Sequence, residues 1–270
     1  QKLSRESIGF STKYPIKVVQ FGEGNFLRAF VDYAFQILNK KADFYLGNLI
    51  ISDYYGNLNL CQLVIECTIE NEEIKRFVYG KIEAEIAGDA LLTSNTSAIP
   101  ISELQNLTQK PERFFGLHWA EPSHTTRFLE IICGEKSDIN KGEYLYELAH
   151  GWGKEPTLVR KDIRGFIANR LMYAMYREAF YLVENGYATV EDVDRACRNN
   201  TGYWMTLVGV FGWMDLTGVP AYHNVMKDLN ATLYNGTEVP KLIDDIVNSG
   251  GKGVSNGHGF YQYSPEEAKL

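Results

Sequence analysis

The first half of the chain alternates short, β-branched apolar runs with longer segments that have the apolar spacing of a helix. The β-rich runs are Ile16–Phe21, Leu49–Asp53, Leu63–Glu66, Ala90–Thr93 and Phe114–Trp119. Strands separated by helices are typical of βαβ units, whose strands join in a mainly parallel sheet. The alternation therefore predicts an α/β domain.

After about residue 162 the strand signals stop and helical spacing takes over. The helical patterns cover Gly165–Glu184, Tyr222–Tyr234 and Pro240–Val247. Thr189 is followed three residues later by Asp192, a spacing typical of a helix start. We therefore predict an α/β domain of residues 1–162 followed by an all-helical domain of residues 163–270.

Composition excludes several classes of function. With 270 residues that are 45% apolar, the chain is typical of a globular protein and not of a disordered one. A net charge of −7 argues against a nucleic-acid partner, and no apolar run approaches the roughly 20 residues of a membrane span. No signal peptide is visible, so we expect a cytoplasmic protein with no membrane partner.

The metal-binding residue types lack metal-site spacing. The histidines form no HxH or HxxxH pattern, so we expect no metal site. The cysteines form no CxxC pair, and we expect reduced thiols. They are Cys61, Cys67, Cys133 and Cys197.

A glycine turn, Gly22–Gly24, follows the first predicted strand. A strand that ends in such a turn and opens a helix can hold a pyrophosphate on free backbone amides, as in a Rossmann-like domain. Leu27 replaces the third glycine of the GxGxxG pattern, so the motif alone also fits an ordinary turn. Asp53 ends the next predicted strand, where an acid can bind ribose hydroxyls and repel a 2′-phosphate, unless it is only a turn residue before Gly56. We predict an NAD site formed by Gly22, Gly24, Asn25, Phe26 and Asp53.

The second chemical signal is a histidine near the end of an apolar strand, where open α/β sheets bind ligands. An imidazole has an ordinary pKa of about 6.5, which suits it to exchange a proton with an alcohol. Glu130 lies twelve residues after His118. If the chain reverses at Glu121–Ser123, Glu130 can fix the tautomer of His118 and stabilise the imidazolium. A buried histidine that the carboxylate satisfies for structural reasons fits the spacing equally well.

Other polar residues can hydrogen-bond a substrate oxygen. The segment Ser94–Ser97 follows the fourth predicted strand, although it also fits a helix cap before Ser102. Asn169 lies in a predicted helix, where asparagine is a poor helix former, so it is either exposed or points into a cleft. A Ser-His-Asp hydrolase is less attractive because the chain has no GxSxG elbow. These residues together predict a nicotinamide-dependent alcohol dehydrogenase.

From about Leu63 to Tyr263 the chain resembles the L-3-hydroxyacyl-CoA dehydrogenases. The segments that carry the resemblance, in the order of that family, are Val64–Lys75, Ser94–Ser97, Arg113–His118, Leu129–Ile132, Asp162–Leu171, Glu178–Ala179, Glu191–Asp194 and Gly257–Tyr261.

The resemblance implies four catalytic residues. His118 would be the general acid and base at the 3-oxygen, and Glu130 would orient it and stabilise its charge. Ser97 and Asn169 would hydrogen-bond the carbonyl or hydroxyl oxygen of the substrate. The implied reaction interconverts a 3-hydroxyacyl and a 3-oxoacyl group.

The resemblance also implies roles for the cofactor site and the second domain. Glu70 and Lys75 would contact NAD on the side of the nicotinamide ribose, and Asn95 belongs to the same cofactor-binding set. The helical domain would close the substrate cleft and form a homodimer.

Three departures from the family keep two other functions open. The segment Val19–Phe30 resembles instead the tagaturonate reductases of the long-chain polyol dehydrogenases, which also bind NAD in a Rossmann unit. Only about ten residues between Asp53 and Leu63 replace a longer helical segment that helps to hold CoA, and Tyr203–Thr206 replaces a PMGP-like run. The chain could therefore oxidise a small 3-hydroxy acid or sugar acid of the gulonate, carnitine or tagaturonate type. The other alternative is a non-catalytic nucleotide-binding protein, for which lens proteins recruited from this family are a precedent.

Overall fold

The computed structural model describes residues 54–123, 125–264 and 266, together with the backbone of strand β1 at Val18–Phe21. Packing divides the chain into two compact units, residues 1–169 and 170–270. Several sequence predictions lie outside the described residues. They are the cofactor residues Gly22, Gly24, Asn25, Phe26 and Asp53 and the strand Leu49–Asp53.

The first unit contains a six-stranded sheet among the described residues. Its strands, in spatial order, are β1 (Val18–Phe21), β2 (Leu63–Glu66), β3 (Leu91–Ser94), β4 (Phe114–Trp119), β5 (Phe128–Cys133) and β6 (Glu155–Val159). Every neighbouring pair is parallel except β4 and β5, which are antiparallel. The prediction of a mainly parallel, Rossmann-like sheet is confirmed.

The two longer helices of this unit begin at residues whose side chains cap them. The helix α1 spans Glu72–Glu83, and the side chain of Asn71 accepts a hydrogen bond from the amide of Ile74 at its start. A short helix α2 spans Ile101–Gln105, and α3 spans Ile139–His150. Short 3-10 turns lie at Tyr55–Leu60 and Pro111–Arg113.

Both faces of the sheet are covered by apolar side chains. On one face Val64, Leu92 and Phe114 pack with residues of α1 and α2. On the other face their chain neighbours, Leu63 and Leu91 among them, pack with residues of α3. Successive residues of a strand point to opposite faces, so burial on both faces requires continuous apolar runs such as those of β2 to β4.

The second unit consists mainly of helices. Helix α4 begins in the first unit and spans Ala168–Glu184. The helices α5 (Val190–Ala196), α6 (Gly202–Thr217), α7 (Val219–Leu229) and α8 (Lys241–Asn248) follow, with a π-helical turn at Cys197–Thr201. The prediction of a helical C-terminal part is confirmed.

Two details of these helices follow from single residues. The hydroxyl of Thr189 accepts a hydrogen bond from the amide of Asp192, so the predicted cap is present. Helix α6 is interrupted at Gly209, whose φ of 71° and ψ of −176° are readily available only to glycine. No helix in the described part of the chain is long and apolar enough to cross a membrane.

Candidate active site

The antiparallel hairpin of β4 and β5 pairs the predicted histidine with the predicted carboxylate. His118 and Glu130 are direct partners in the register, and Nδ1 of the imidazole lies 2.8 Å from Oε2 of the carboxylate. Glu130 is the third residue of β5, inside the strand. The expected chain reversal therefore brings the two side chains together.

One ring nitrogen of His118 has a hydrogen-bond partner among the described residues, and the other does not. The residue is 7% exposed, and its ring lies 5.6 Å from that of Phe128 and 5.5 Å from that of Phe166. An ionised carboxylate only accepts hydrogen bonds, so the neutral imidazole carries its proton on Nδ1 and presents Nε2 as an acceptor. Among the described residues Nε2 has no hydrogen-bond partner. The ring is therefore oriented to accept a proton from an external group.

The second carboxylate oxygen of Glu130 caps the start of α4. Oε1 accepts hydrogen bonds from the backbone amides of Ile167 and Ala168, at 3.0 and 2.9 Å. These amides are among those that a helix start leaves without internal partners, and the helix dipole favours an anion there. The carboxylate is 1% exposed and has three donors in all, so its orientation is fixed from both sides.

The chain reaches these amides through a left-handed turn. Gly165 has a φ of 79° and Phe166 has a φ of 51°. A positive φ is rare for a residue other than glycine, and Phe166 is completely buried. The helical spacing predicts a helix from Gly165 that includes Phe166, whereas the helix starts at Ala168. The glycine was the available signal for this turn.

Ser97 and Asn169, both predicted to bind the substrate oxygen, lie together in the first unit. The side-chain amide of Asn169 donates to the backbone carbonyl of Ser97 at 2.8 Å. The hydroxyl of Ser97 has no hydrogen-bond partner among the described residues. Ser94 is in register with Gly116, so Ser97, which follows β3, and His118, near the end of β4, both lie toward the carboxyl edge of the sheet. The structure thus leaves one free hydroxyl at the edge of the sheet that carries the imidazole.

A carboxylate at the same edge is held by its neighbours. The side chain of Glu70 accepts hydrogen bonds from the hydroxyl of Thr96, at 2.9 and 3.0 Å, and from the amide of Ser97, at 2.7 Å. The side chain of Glu70 remains 43% exposed. Glu70 is therefore fixed in place with part of its surface available to a ligand. Thr96 thus supports Glu70, and its suggested contact with the substrate oxygen stays a prediction.

Lys75, predicted beside the cofactor, is 1% exposed and forms a buried ion pair. Its ammonium lies 3.0 Å from both carboxylate oxygens of Glu66 and 3.8 Å from Oε2 of Glu70. Lys75 thus lies on the buried side of the partly exposed Glu70 carboxylate. Glu66 was not predicted as a site residue, although a charged residue at the end of an apolar strand was a signal for it.

Glu66 is completely buried and saturated with donors. Besides Lys75, it accepts hydrogen bonds from Ser94 at 2.7 Å, from Tyr79 at 2.9 Å and from Thr68. Burial alone would raise the pKa of Glu66, but the charge of Lys75 and the hydrogen bonds outweigh it and hold the pKa below its ordinary value. Burial and the charge of Glu66 raise the pKa of Tyr79 well above its ordinary value, so this hydroxyl remains a donor.

Asn95, also predicted at the cofactor, links three strands. Its side-chain oxygen accepts a hydrogen bond from the amide of Trp119 at 3.1 Å. Its own amide donates to the carbonyl of Glu66 at 2.8 Å. The residue therefore ties the carboxyl ends of β2, β3 and β4 together.

The described residues fit a dinucleotide at this edge. Phe21, Glu66 and Ser94 are in register, so three parallel strands end side by side, as they do where open α/β sheets bind dinucleotides. Glu70 provides an exposed acceptor for ribose hydroxyls. In the part of the chain that the structure describes, no cluster of three metal-ligating side chains is present.

Comparisons with known proteins identify the family. The chain matches the profile described as "3-hydroxyacyl-CoA dehydrogenase, NAD binding domain" over residues 29–163 and "3-hydroxyacyl-CoA dehydrogenase, C-terminal domain" over residues 165–263. The resemblance of Val19–Phe30 to tagaturonate reductases stays a prediction.

Individual relatives agree with the profiles. The chain is 35% identical to a 5-formyl-3-hydroxy-2-methylpyridine 4-carboxylate 5-dehydrogenase of Mesorhizobium japonicum, over 83% of this chain and 73% of that protein. It is 31% identical to a 3-hydroxybutyryl-CoA dehydrogenase of Bradyrhizobium diazoefficiens, over 81% of this chain and 73% of that protein. A crystal structure of a dehydrogenase of the same pyridine carboxylic acid, described as an NAD+-dependent dismutase, matches with a TM-score of 0.84 and 29% identity, over 95% of this chain and 93% of that one. The chain therefore belongs to the 3-hydroxyacyl-CoA dehydrogenase family and is an NAD-dependent dehydrogenase that acts on a CH–OH group.

Proposed function

We propose that His118 is the general acid and base of this dehydrogenase. NAD, when bound, accepts a hydride from the carbinol carbon. Nε2 of His118 takes the hydroxyl proton as the carbon–oxygen double bond forms, and it returns the proton in the reverse direction. The observation that carries this proposal is the geometry of the pair, in which Glu130 holds Nδ1 at 2.8 Å and leaves Nε2 as an acceptor.

The neighbouring residues have supporting roles in this proposal. Glu130 fixes the tautomer of His118 and stabilises the imidazolium that forms during turnover. The free hydroxyl of Ser97 bonds the reacting oxygen, and Asn169 holds the Ser97 backbone while its second N–H is available to the same oxygen. Both roles agree with the contacts of these side chains.

The cofactor roles are proposed for residues at the carboxyl edge of the sheet. Glu70 accepts hydrogen bonds from the ribose hydroxyls beside the nicotinamide, because its carboxylate is fixed and exposed. Lys75 and Asn95 act indirectly. Lys75 is buried beside Glu70, and the side-chain oxygen of Asn95 already accepts a hydrogen bond from Trp119. We also propose the division of the chain at residue 162 into an NAD-binding domain and a substrate domain.

The first candidate substrate is a 3-hydroxyacyl-CoA thioester, the class that gives the family its name. A second candidate is a small hydroxy acid, or an aldehyde hydrate, without CoA. One structural observation favours the second: residues 54–62 contain only the short 3-10 helix Tyr55–Leu60, where the family that the sequence resembles carries a longer helical segment that helps to hold CoA. The identity of 35% with the pyridine carboxylate dehydrogenase supports the same candidate.

A substrate panel tests the proposed function. Purified protein with NAD is offered 3-hydroxybutyryl-CoA, free 3-hydroxybutyrate, a sugar acid such as gulonate and the pyridine aldehyde of the Mesorhizobium relative. NADH absorbance reports turnover, and His118→Gln serves as the control. Turnover of the thioester alone supports the first candidate, and turnover of a free acid supports the second. No turnover together with no NAD binding by calorimetry would instead indicate a non-catalytic protein.

We also propose that the protein is a homodimer through its second unit. The described residues of helices α4 to α8 include no buried one, although these helices carry many large apolar side chains. Phe211 is 81% exposed and Leu216 is 67% exposed. Large exposed apolar surfaces indicate an interface. Light scattering after gel filtration should give twice the mass of the chain, and Phe211→Lys should lower it, whereas a monomeric wild-type protein would contradict the proposal.

We further propose a cytoplasmic location. Cys61, Cys67, Cys133 and Cys197 are joined by no disulfide in the described part of the chain, as expected of a protein in a reducing compartment. Fractionation of the native source would test this location, and recovery in an oxidising compartment would contradict it.

A further inference from the structure

The turn at Gly165 and Phe166 makes contacts that go beyond joining β6 to α4. Two successive residues are in the left-handed region, and one of them is a completely buried phenylalanine. Non-glycine residues in this region are held there by their surroundings, and they occur preferentially at functional sites. The contacts of the five residues Gly165–Asn169 indicate what this arrangement serves.

Each residue after the glycine contacts one part of the candidate site. The ring of Phe166 lies 5.5 Å from the ring of His118. The next two amides, those of Ile167 and Ala168, both donate to one oxygen of Glu130. Asn169 then donates to the carbonyl of Ser97. A single short segment therefore touches the acid–base residue, its carboxylate and the loop with the free hydroxyl.

The backbone conformation explains why these contacts occur together. The first amides of a helix have no internal acceptor and point the same way along its axis, so two consecutive amides can reach one anion. The left-handed residues Gly165 and Phe166 immediately precede these amides and set the direction from which the helix start approaches its acceptor. Here the acceptor is the Oε1 atom of Glu130, and its Oε2 atom holds the imidazole.

We propose that the left-handed turn at Gly165 and Phe166 is a positioning device for the His118–Glu130 pair, and that Phe166 is a positioning residue for the reaction. The turn directs two amides onto Glu130 and so fixes the carboxylate plane, while the Phe166 ring restricts rotation of the imidazole. The result is an imidazole held in the Nδ1–H tautomer with Nε2 facing the substrate. This inference rests on the proposed function of His118.

The test uses a glycine substitution with a matched control. Gly165→Ala disfavours the left-handed turn, which strains any residue with a Cβ. Gly186→Ala imposes the same conformational cost, since Gly186 has a φ of 74° and open space where the new Cβ would lie. Gly186 is in the loop after α4, and its amide donates to the carbonyl of Val183 in the same loop region. Phe166→Leu removes the ring while it keeps apolar volume, and it serves as a second test should Gly165→Ala fail to fold.

Two readouts separate positioning from a structural role. The first is kcat with the substrate found in the panel, together with KM for NAD. The second is the exchange-protected proton on Nδ1 of His118, which nuclear magnetic resonance detects far downfield and His118→Gln identifies by its loss. We expect Gly165→Ala to lower kcat by about ten- to a hundredfold, the range for a misplaced catalytic group. We also expect it to broaden or remove the Nδ1 proton signal while KM for NAD stays the same.

Phe166→Leu should lower kcat several-fold and broaden the same signal. Gly186→Ala should lose as much thermal stability as Gly165→Ala and keep wild-type kcat and the wild-type signal. Gly165→Ala or Phe166→Leu with wild-type kcat and an unchanged Nδ1 proton would overturn the inference. A wild-type protein that shows this proton but turns over no substrate would overturn the proposed function and with it the role of the turn in the reaction. Loss of kcat in Gly165→Ala and Phe166→Leu is therefore compared only with a wild-type protein that turns over, so that the two failures are distinguished.

Discussion

Two buried carboxylates in the first unit have opposite surroundings. Glu66 accepts hydrogen bonds from a lysine, a tyrosine, a serine and a threonine, and both members of its ion pair are almost completely buried. Glu130 also has a basic partner and two further donors, but that partner is an imidazole whose second nitrogen has no bond among the described residues. Both carboxylates are fixed, and only one of them is coupled to a group that can exchange a proton.

Glu66 and Glu130 differ in what their basic partners can do. The ammonium of Lys75 is surrounded by Glu66 and Glu70 and holds these two carboxylates in place. An imidazole changes its charge near neutral pH, so a buried carboxylate beside it acts on a group that can gain or lose a proton. Perturbed or buried ionisable groups therefore do not identify a reactive residue by themselves. The pair that keeps an unbonded nitrogen is the better candidate.

Replacing His118 should have the largest effect and should fall on activity alone. His118→Gln removes the proton acceptor and should lower kcat by about 10²–10⁴-fold, the usual contribution of a general base. Glu130 keeps its two backbone donors, so the free energy of unfolding should change by only about 1 kcal/mol. Steady-state kinetics and urea unfolding measure the two quantities. His150→Gln, an exposed histidine on α3, is the control, and equal activity of both variants would remove His118 from the mechanism.

Replacing Lys75 should have the opposite profile. Lys75→Met leaves the Glu66 carboxylate buried without its counter-charge, which should lower the free energy of unfolding by about 3–5 kcal/mol. The double variant Glu66→Gln with Lys75→Met removes both charges and should recover most of the loss. Lys81→Met, on the exposed side of the same helix, is the control in chemical unfolding. If Lys75→Met is as stable as Lys81→Met, the ion pair of Lys75 and Glu66 is not buried in the folded protein.

Acid should weaken the Glu66 cluster specifically. The folded-state pKa of Glu66 lies below its ordinary value, so this group stabilises the fold at pH values above the ordinary glutamate pKa. That contribution is lost as the pH falls through the folded-state pKa, because the unfolded chain binds the proton first. Urea unfolding at a series of pH values below about 5 should therefore show a steeper loss for the wild type than for the Glu66→Gln, Lys75→Met double variant. Parallel curves would contradict the assignment.

The periodicity of the sequence was sufficient to predict most of the sheet. Strands β2 and β4 have the predicted bounds, because each is an unbroken apolar run between polar segments. Strand β6 and helix α6 were not predicted. Pro156 lies inside β6, and a proline weakens any strand pattern even though an edge strand tolerates it. Helix α6 is apolar on all sides, so it lacks the one-sided pattern by which a helix is recognised.

The site was predictable where it depends on register and not where it depends on side-chain packing. A reversal between two strands is sufficient to bring His118 opposite Glu130. A buried position for Lys75 follows only from the place of Glu66 beneath α1, and lysine in general indicates an exposed position. A positive φ at Phe166 is likewise a property of the folded backbone, for which the residue type provides no signal. Sequence therefore located the His118–Glu130 pair more readily than the residues that hold it.

The smallest expected effect concerns one hydrogen bond within the Glu66 cluster. Tyr79→Phe removes a donor at 2.9 Å from Glu66 and keeps the ring contact with Phe114, whose centre lies 5.2 Å away. Lysine, serine and threonine donors remain on the carboxylate, so the free energy of unfolding should fall by about 1 kcal/mol, the net value of a typical hydrogen bond. Because Tyr79 supports Glu66 and not the imidazole, kcat should stay at the wild-type value. Unfolding and kinetics on the same preparation check both statements, and a large loss of kcat at unchanged stability would show that the two carboxylate clusters are coupled.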